Sequence, residues 1–271
     1  MKKSPLRILP GSRLLAGNVL AEDAHAPSEI LDTNPILRGG MDWMSWPAAW
    51  FPRGQVFAGA SLLVILFAFA LDNAVDASIL LPAHSPSWRI ARLFSRYGDW
   101  PPILLTGLVT VSVLAGCRKL AVARLWLLIL VAGLLTGLGS TLIRATIGRT
   151  RPNAAAPQGF YGPRYQGRWI AAKYEFASFP SGHTAVWAGL AGAAWFRRRA
   201  LGIAFLAAAG AVAWSRLALG CHHFSDVTAS LVWGLAVGPW ACDRLESAVI
   251  PLWARTRLIF QSNLRWGKAA A

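Results

Sequence analysis

The chain has 271 residues, of which 55% are hydrophobic and only 14% charged, with a mean hydropathy of +0.43. That balance excludes an ordinary soluble domain, which needs more polar surface; the apolar residues come in long blocks, the pattern of a polytopic all-α membrane protein. The net charge of +15 does not argue for nucleic acid, because the basic residues sit in tails, short loops and span ends rather than on a polar domain; anionic lipid headgroups are the expected counterpart.

In chain order, Met1 to about Arg53 is polar, rich in Pro and Gly and mixed in charge, which predicts an irregular N-terminal tail (residues 1–53). No apolar h-region with a cleavage site stands in the first forty residues, so no removable signal peptide is expected. The tail ends in Trp43, Trp46 and Trp50, suited to a bilayer interface. Six spans are predicted within a membrane domain of residues 54–243: about Gln55–Leu71, Pro102–Gly116, Val122–Ile143, Thr184–Phe196, Ala200–Leu219 and Ser225–Ala241. The second and fourth are short against the roughly 20 residues that a span needs. In the third, Gly133 and Gly137 are spaced for close helix packing within the chain. Ser87–Tyr97 alternates apolar and basic residues at helical spacing, as expected of a helix lying on the membrane, and residues 244–271 form a similar basic amphipathic tail. Cys117, Cys221 and Cys242 are scattered and odd in number, which predicts packing residues rather than a disulfide framework or a thiolate metal site.

Basic residues set the orientation. With the N-terminus inside, Arg118, Lys119, Arg124, Arg197–Arg199 and the basic C-terminal tail all fall on one side, as the positive-inside rule favours. Three polar groups then fall on the opposite side: Arg144, Arg149 and Arg151 after the third span, Ser181–Gly182–His183 opening the fourth, and Ser215–Arg216 with His222 and Asp226 between the fifth and sixth. Arg144 and Arg151 are seven apart, two turns along one helical face, with Pro152 expected to stop the helix. Pro180 is expected near the first turn of the next helix, whose N-terminal amides form an anion site. Guanidinium groups, helix-terminal amides and two histidines suit a phosphate oxyanion, one histidine attacking and the other protonating the leaving oxygen. Asp226 follows His222 by one turn and is placed to hold the imidazole's other N–H. No carboxylate cluster suggests a divalent metal, and no cofactor is expected. Arg149 is open between a phosphate-facing and an interfacial place, and His223 is expected to be a bystander. Phe160, Trp169, Lys173 and Tyr174 belong to a loop that serves either as a lid or headgroup pocket or as an interface segment.

Taken together, Arg144-x6-Arg151-Pro152, Pro180-Ser181-Gly182-His183 and Ser215-Arg216-x5-His222-x3-Asp226 resemble the three-part signature of the type-2 phosphatidic acid phosphatase and haloperoxidase superfamily. The resemblance implies a six-helix bundle with its site at the outer ends of helices 3 to 6. It implies His222 as the nucleophile that forms a phosphohistidine, Asp226 as its orienting partner and His183 as the general acid, with Arg144, Arg151, Ser181, Gly182 and Arg216 binding phosphate. The family's first motif usually begins with Lys; Arg144 keeps the charge but replaces a point with a fork. The implied protein is a metal-independent phosphatase of a lipid phosphate monoester or diphosphate in a bacterial inner membrane. Both termini would be cytoplasmic and the site would face the periplasm. Phosphatidic acid, phosphatidylglycerophosphate, undecaprenyl diphosphate and lipid A are the substrates to consider. The same residues would serve a lipid phosphotransferase; a non-catalytic lipid-binding or transport protein would not need both histidines and Asp226. Six spans argue against a haloperoxidase.

Overall fold

The computed structural model describes residues 46–171 and 173–269, with side chains described for 54–171 and 173–248. The chain divides into two compact units, Met1–Trp50 and Phe51–Ala271. Of the first unit only 46–50 is described, and these residues are helical, as are 51–53, where the sequence predicts an irregular tail to residue 53; the rest of the unit, with Trp43, lies outside the described residues, and all that follows concerns the second. The side chains of the expected amphipathic tail beyond residue 248 also lie outside them.

Seven α-helices occur among the described residues: α1 (Trp46–Ile79), α2 (Pro86–Tyr97), α3 (Trp100–Gly116), α4 (Leu120–Ile147), α5 (Gly182–Trp195), α6 (Arg199–Ala218) and α7 (Phe224–Ala269). Three stretches are long and apolar enough to cross a membrane: Gly54–Ile79, Leu120–Ile147 and Arg199–Ala218. α2 and α3 qualify together as one bent pair, turned by 60° at Gly98–Asp99, which makes four. The expected fourth span corresponds to α5, whose 14 residues rise only about 21 Å. The expected sixth span corresponds to the first part of α7, and neither it nor α5 is among these candidates, so the described residues hold up to four apolar crossings where six are expected.

The apolar face of α1 is almost bare, with Val56, Leu63 and Phe67 exposed by 71%, 68% and 66%. In a bilayer that face meets acyl chains. Ser85 caps α2 by accepting the Trp88 N–H, and Asp99 caps α3 by accepting the Trp100 N–H. α2 buries only Ala91 and Ser95, one turn apart, on the side packed against α6. Its other residues are largely exposed, as the helical spacing of its apolar and basic residues predicts.

The core is built around α5, which packs on α4, α6 and α7 and has ten of its 14 residues buried. Small residues make this close approach possible. A side chain on Gly133 or Gly137 would strike Leu190 or Val186 of α5, so the glycine pair of α4 packs within the chain as its spacing predicts. Gly189 faces Thr136, whose hydroxyl donates to the Ala185 carbonyl at 2.8 Å, and Gly234 and Gly238 of α7 meet α5 backbone. Away from the loop that joins α4 to α5, Arg197 pairs with Asp243 and Glu246, and Arg124 with Glu246. These contacts gather the two basic positions that the sequence places on the same side of the membrane.

α4 stops before Pro152. Its last residue is Ile147, and Gly148 takes φ +59° with its N–H bonded to the Arg144 carbonyl. A side chain there would run into the backbone of Gly162 as well as strain the left-handed conformation. Between α4 and α5 the described residues hold a two-stranded ladder of β1 (Arg164–Tyr165) and β2 (Arg168–Trp169), a bridge between Arg149 and Phe160, and one 3-10 turn at Tyr174–Phe176. Of the cysteines, Cys221 and Cys242 are buried and Cys117 is exposed, so packing explains only the first two.

Candidate active site

The loop after α4 carries two of its four arginines, Arg149 and Arg151, inward, while Arg164 and Arg168 stay exposed. Because α4 ends at Ile147, Arg151 is not on a helical face with Arg144 but reaches the site from the loop. Its Nε donates to the Tyr174 carbonyl, Nη1 to that of Cys221 at 3.2 Å and Nη2 to that of Ala177 at 3.1 Å. Its guanidinium lies 3.7 Å from the Tyr174 ring centroid. Three backbone carbonyls therefore fix its fork, which leaves two of five N–H groups for anything else. Arg144, on the last turn of α4, donates to the Thr141 hydroxyl and faces Gly182: a Cβ on Gly182 would sit 3.4 Å from both of its terminal nitrogens.

Ser181 caps α5 in extended conformation, and Pro180 precedes the helix rather than opening it. The Ser181 N–H donates to the Asp226 carbonyl at 3.3 Å, which ties the start of α5 to the start of α7. The Ser181 hydroxyl takes part in no cap bond and accepts from Thr184. His183, in the first turn, brings its Nε2 to 3.4 Å from Asp99, the residue at the α2–α3 bend. Arg216, Arg144 and Arg151 all act electrostatically on this imidazole.

Arg216 closes α6. It is 7% exposed and donates through Nη1 to the Ser95 hydroxyl of α2. His222 follows in the short turn before α7 and is 1% exposed. Its Nδ1 lies 2.8 Å from the Ser178 carbonyl and 3.6 Å from Asp226 Oδ2, so the backbone carbonyl, not the carboxylate, takes the ring N–H. Its Nε2, like the Nε of Arg216, is buried with no hydrogen-bond partner among the described residues. The Nδ1–H tautomer leaves the Nε2 lone pair free. Burial is the largest influence on the His222 imidazole; Asp226 opposes it, Arg216 and Arg151 reinforce it, and the outcome is a value pushed down to about 3.

Asp226 is fully buried and shared. Its Oδ2 accepts from the Ser178 hydroxyl at 2.5 Å and from the His223 N–H at 2.8 Å, while Oδ1 accepts from Arg149 Nη1 at 2.5 Å. Arg149 thus faces neither phosphate nor bilayer interface. It is buried between Asp226 and Asp72, 2.6 Å from the latter, and stacked between the rings of Phe69 and Phe160. His223 is a structural neighbour of the site: Nδ1 lies 2.6 Å from Asp76 and Nε2 lies 3.2 Å from the Thr150 carbonyl.

The three motifs therefore meet, and α1 adds residues that sequence reasoning missed. Asp72 accepts from the Ser225 N–H and hydroxyl, both at 2.7 Å, and Asp76 accepts from the Phe224 N–H at 3.2 Å. Two carboxylates one turn apart at the end of an apolar run were the available signal, since ionisable residues in such a run are costly unless held. Phe160 and Tyr174 of the loop cover Arg149 and Arg151, while Trp169 stays 61% exposed. Among the described residues, no group of three or more His, Cys, Asp and Glu side chains is arranged to hold a metal ion.

The family described as the PAP2 superfamily matches residues 121–245. A Rhizobium johnstonii protein named Lipid A 1-phosphatase is 30% identical over 235 residues, 82% of this chain and 86% of that one. A crystal structure described as the first transmembrane PAP2 type phosphatidylglycerolphosphate phosphatase, from Bacillus subtilis, aligns with a TM-score of 0.46 at 18% identity, over 70% of this chain and 96% of its own.

Proposed function

Since this chain belongs to the PAP2 superfamily and is an integral membrane protein, we propose that it is a lipid phosphatase working through a phosphohistidine on His222. The observation that carries this reading is the buried His222, whose Nδ1 faces a carbonyl and whose Nε2 is left unpartnered beside the arginine cluster. In the proposed reaction, Nε2 attacks phosphorus and the phosphorus–oxygen bond to the lipid breaks. The departing oxygen takes a proton from His183. Water then attacks phosphorus, gives its proton to His183, and the nitrogen–phosphorus bond breaks to release inorganic phosphate. Arg144, Arg216 and the remaining donors of Arg151, with Ser181 and the amides at Gly182, neutralise the phosphoryl oxygens as charge develops.

Lipid A is the first substrate to test, because the relative aligned over most of both chains carries that name. Phosphatidic acid, phosphatidylglycerophosphate and undecaprenyl diphosphate follow. The proposed setting is the bacterial inner membrane, crossed six times, with α5 and the start of α7 as the short fourth and the sixth span and with the site on the periplasmic side. The test is release of inorganic phosphate from each purified lipid by the full-length protein in detergent with chelator present. Release from at least one lipid, lost in His222→Ala, is expected. No release from any of the four, or release untouched by His222→Ala, overturns the reading.

A further inference from the structure

Asp72 and Asp76 lie on α1, outside all three motifs and outside the residues matched by the family. An aspartate at the end of an apolar, largely exposed helix is costly unless its oxygens are engaged. Asp72 is 6% exposed, and both oxygens are taken: Oδ1 by the Ser225 N–H, Oδ2 by the Ser225 hydroxyl and by Arg149 Nη2. Arg149 Nη1 donates in turn to the Ser225 hydroxyl and to Asp226 Oδ1. The other oxygen of Asp226 holds the Ser178 hydroxyl, and the Ser178 carbonyl holds His222 Nδ1. An unbroken run of bonds thus leads from α1 to the imidazole.

Charge gives the run a purpose. Arg149 with Asp226 alone is a neutral pair, and the guanidinium would draw the carboxylate's field away from His222. A second carboxylate on Arg149 leaves a net negative charge in the cluster, next to a ring that becomes more positive when its Nε2 bonds to phosphorus. We propose that Asp72 is a positioning residue for the His222 centre: it holds Arg149 and Ser225 so that Asp226 keeps its charge and fixes Ser178 against the imidazole. This rests on the phosphohistidine reading above.

The test uses the full-length protein in detergent and phosphate release from the lipid panel. Asp72→Asn keeps the shape and removes the charge; kcat falls by about ten- to a hundredfold, the scale of a small misplacement at a reacting centre. KM, and inhibition by added inorganic phosphate, stay within about twofold, because the anion cradle is untouched. In a Ser178→Ala background the same change costs less than about threefold further, since both act through Asp226. A kcat within about twofold of the parent, a raised KM at constant kcat, or full additivity with Ser178→Ala would each overturn the proposal. If Asp72→Asn does not fold, judged by elution profile and melting, Ser225→Ala decides: a lower kcat at unchanged KM supports the proposal and an unchanged kcat overturns it. A parent that releases phosphate and loses it in His222→Ala, while Asp72→Asn stays active, sinks this inference alone. A parent that releases none sinks the phosphatase reading and this inference with it.

Discussion

The Nδ1 of His222 lies 2.8 Å from the carbonyl oxygen of Ser178, inside hydrogen-bond range, and Asp226 stands behind Ser178 rather than in front of it. The imidazole is therefore oriented by main chain that a carboxylate holds in place. Ser178→Ala keeps the carbonyl and removes only the hydroxyl that ties it to Asp226. A hydrogen bond to a charged group is worth about 1.5–3 kcal/mol, so the variant is expected to lose activity by about ten- to a hundredfold, less than Asp226→Ala, which also frees Arg149 and the His223 N–H. Turnover of the two variants on one lipid checks the order; equal losses, or a larger loss for Ser178→Ala, would contradict it.

Arg149 is the only cation bonded to both Asp72 and Asp226 among the described residues. Arg149→Met removes it and leaves two buried carboxylates facing each other. Removing one partner of a buried pair costs about 3–5 kcal/mol, so a clear fall in melting temperature is expected in detergent. Arg149→Lys is expected to recover only part of this, because one ammonium cannot reproduce a fork that bonds Ser225, Asp226 and Asp72 together. Full recovery by lysine would show that charge alone is at work.

The buried imidazole sets a pH dependence with a definite sign. His222 is pushed down to about 3 in the folded chain, against about 6.5 when unfolded. Between those values the unfolded chain binds the extra proton and the folded chain does not. Stability is thus unaffected by this group above about 6.5 and falls as pH drops from there toward 3. Melting temperatures at about pH 7 and about pH 4.5 should converge in part in His222→Gln, which has no such proton to bind. An identical acid sensitivity in parent and variant would refute this. For the same reason, His222 stays neutral through the mildly acidic range, the form that the proposed attack requires.

Gly148→Ala tests how the site's loop begins. The position needs φ +59°, and the added carbon would collide with Gly162 backbone. The left-handed conformation alone costs about 1–2 kcal/mol, and the collision adds to it by displacing the loop that carries Arg149 and Arg151. Lower melting temperature and reduced turnover are expected together; an alanine variant as stable as the parent would exclude the collision.

Much of this protein is legible in its amino-acid sequence, because the determining interactions are with solvent and lipid or are local. Long apolar blocks mark where the helices run, although α1 and α7 extend well beyond the expected spans, Gly133 and Gly137 announce close packing of α4, and three motifs at span ends point to a shared site. Other features depend on groups distant in the chain. Gly148, not Pro152, ends α4 because its amide and the nearby Gly162 backbone demand a left-handed residue. That turn takes Arg151 off the helix, where three carbonyls hold its fork. Whether Asp226 touches His222 cannot be read from their four-residue spacing, since Ser178, 48 residues from Asp226, competes for the carboxylate and supplies the carbonyl. Asp72 and Arg149, 77 residues apart, look like a span-end acid and an interfacial base until they are brought together. Sequence thus determined the helical class and the chemical types that meet at the site. Tertiary structure alone decided which groups pair, because hydrogen bonds and charges act over a few ångströms while the residues that make them are scattered along the whole chain.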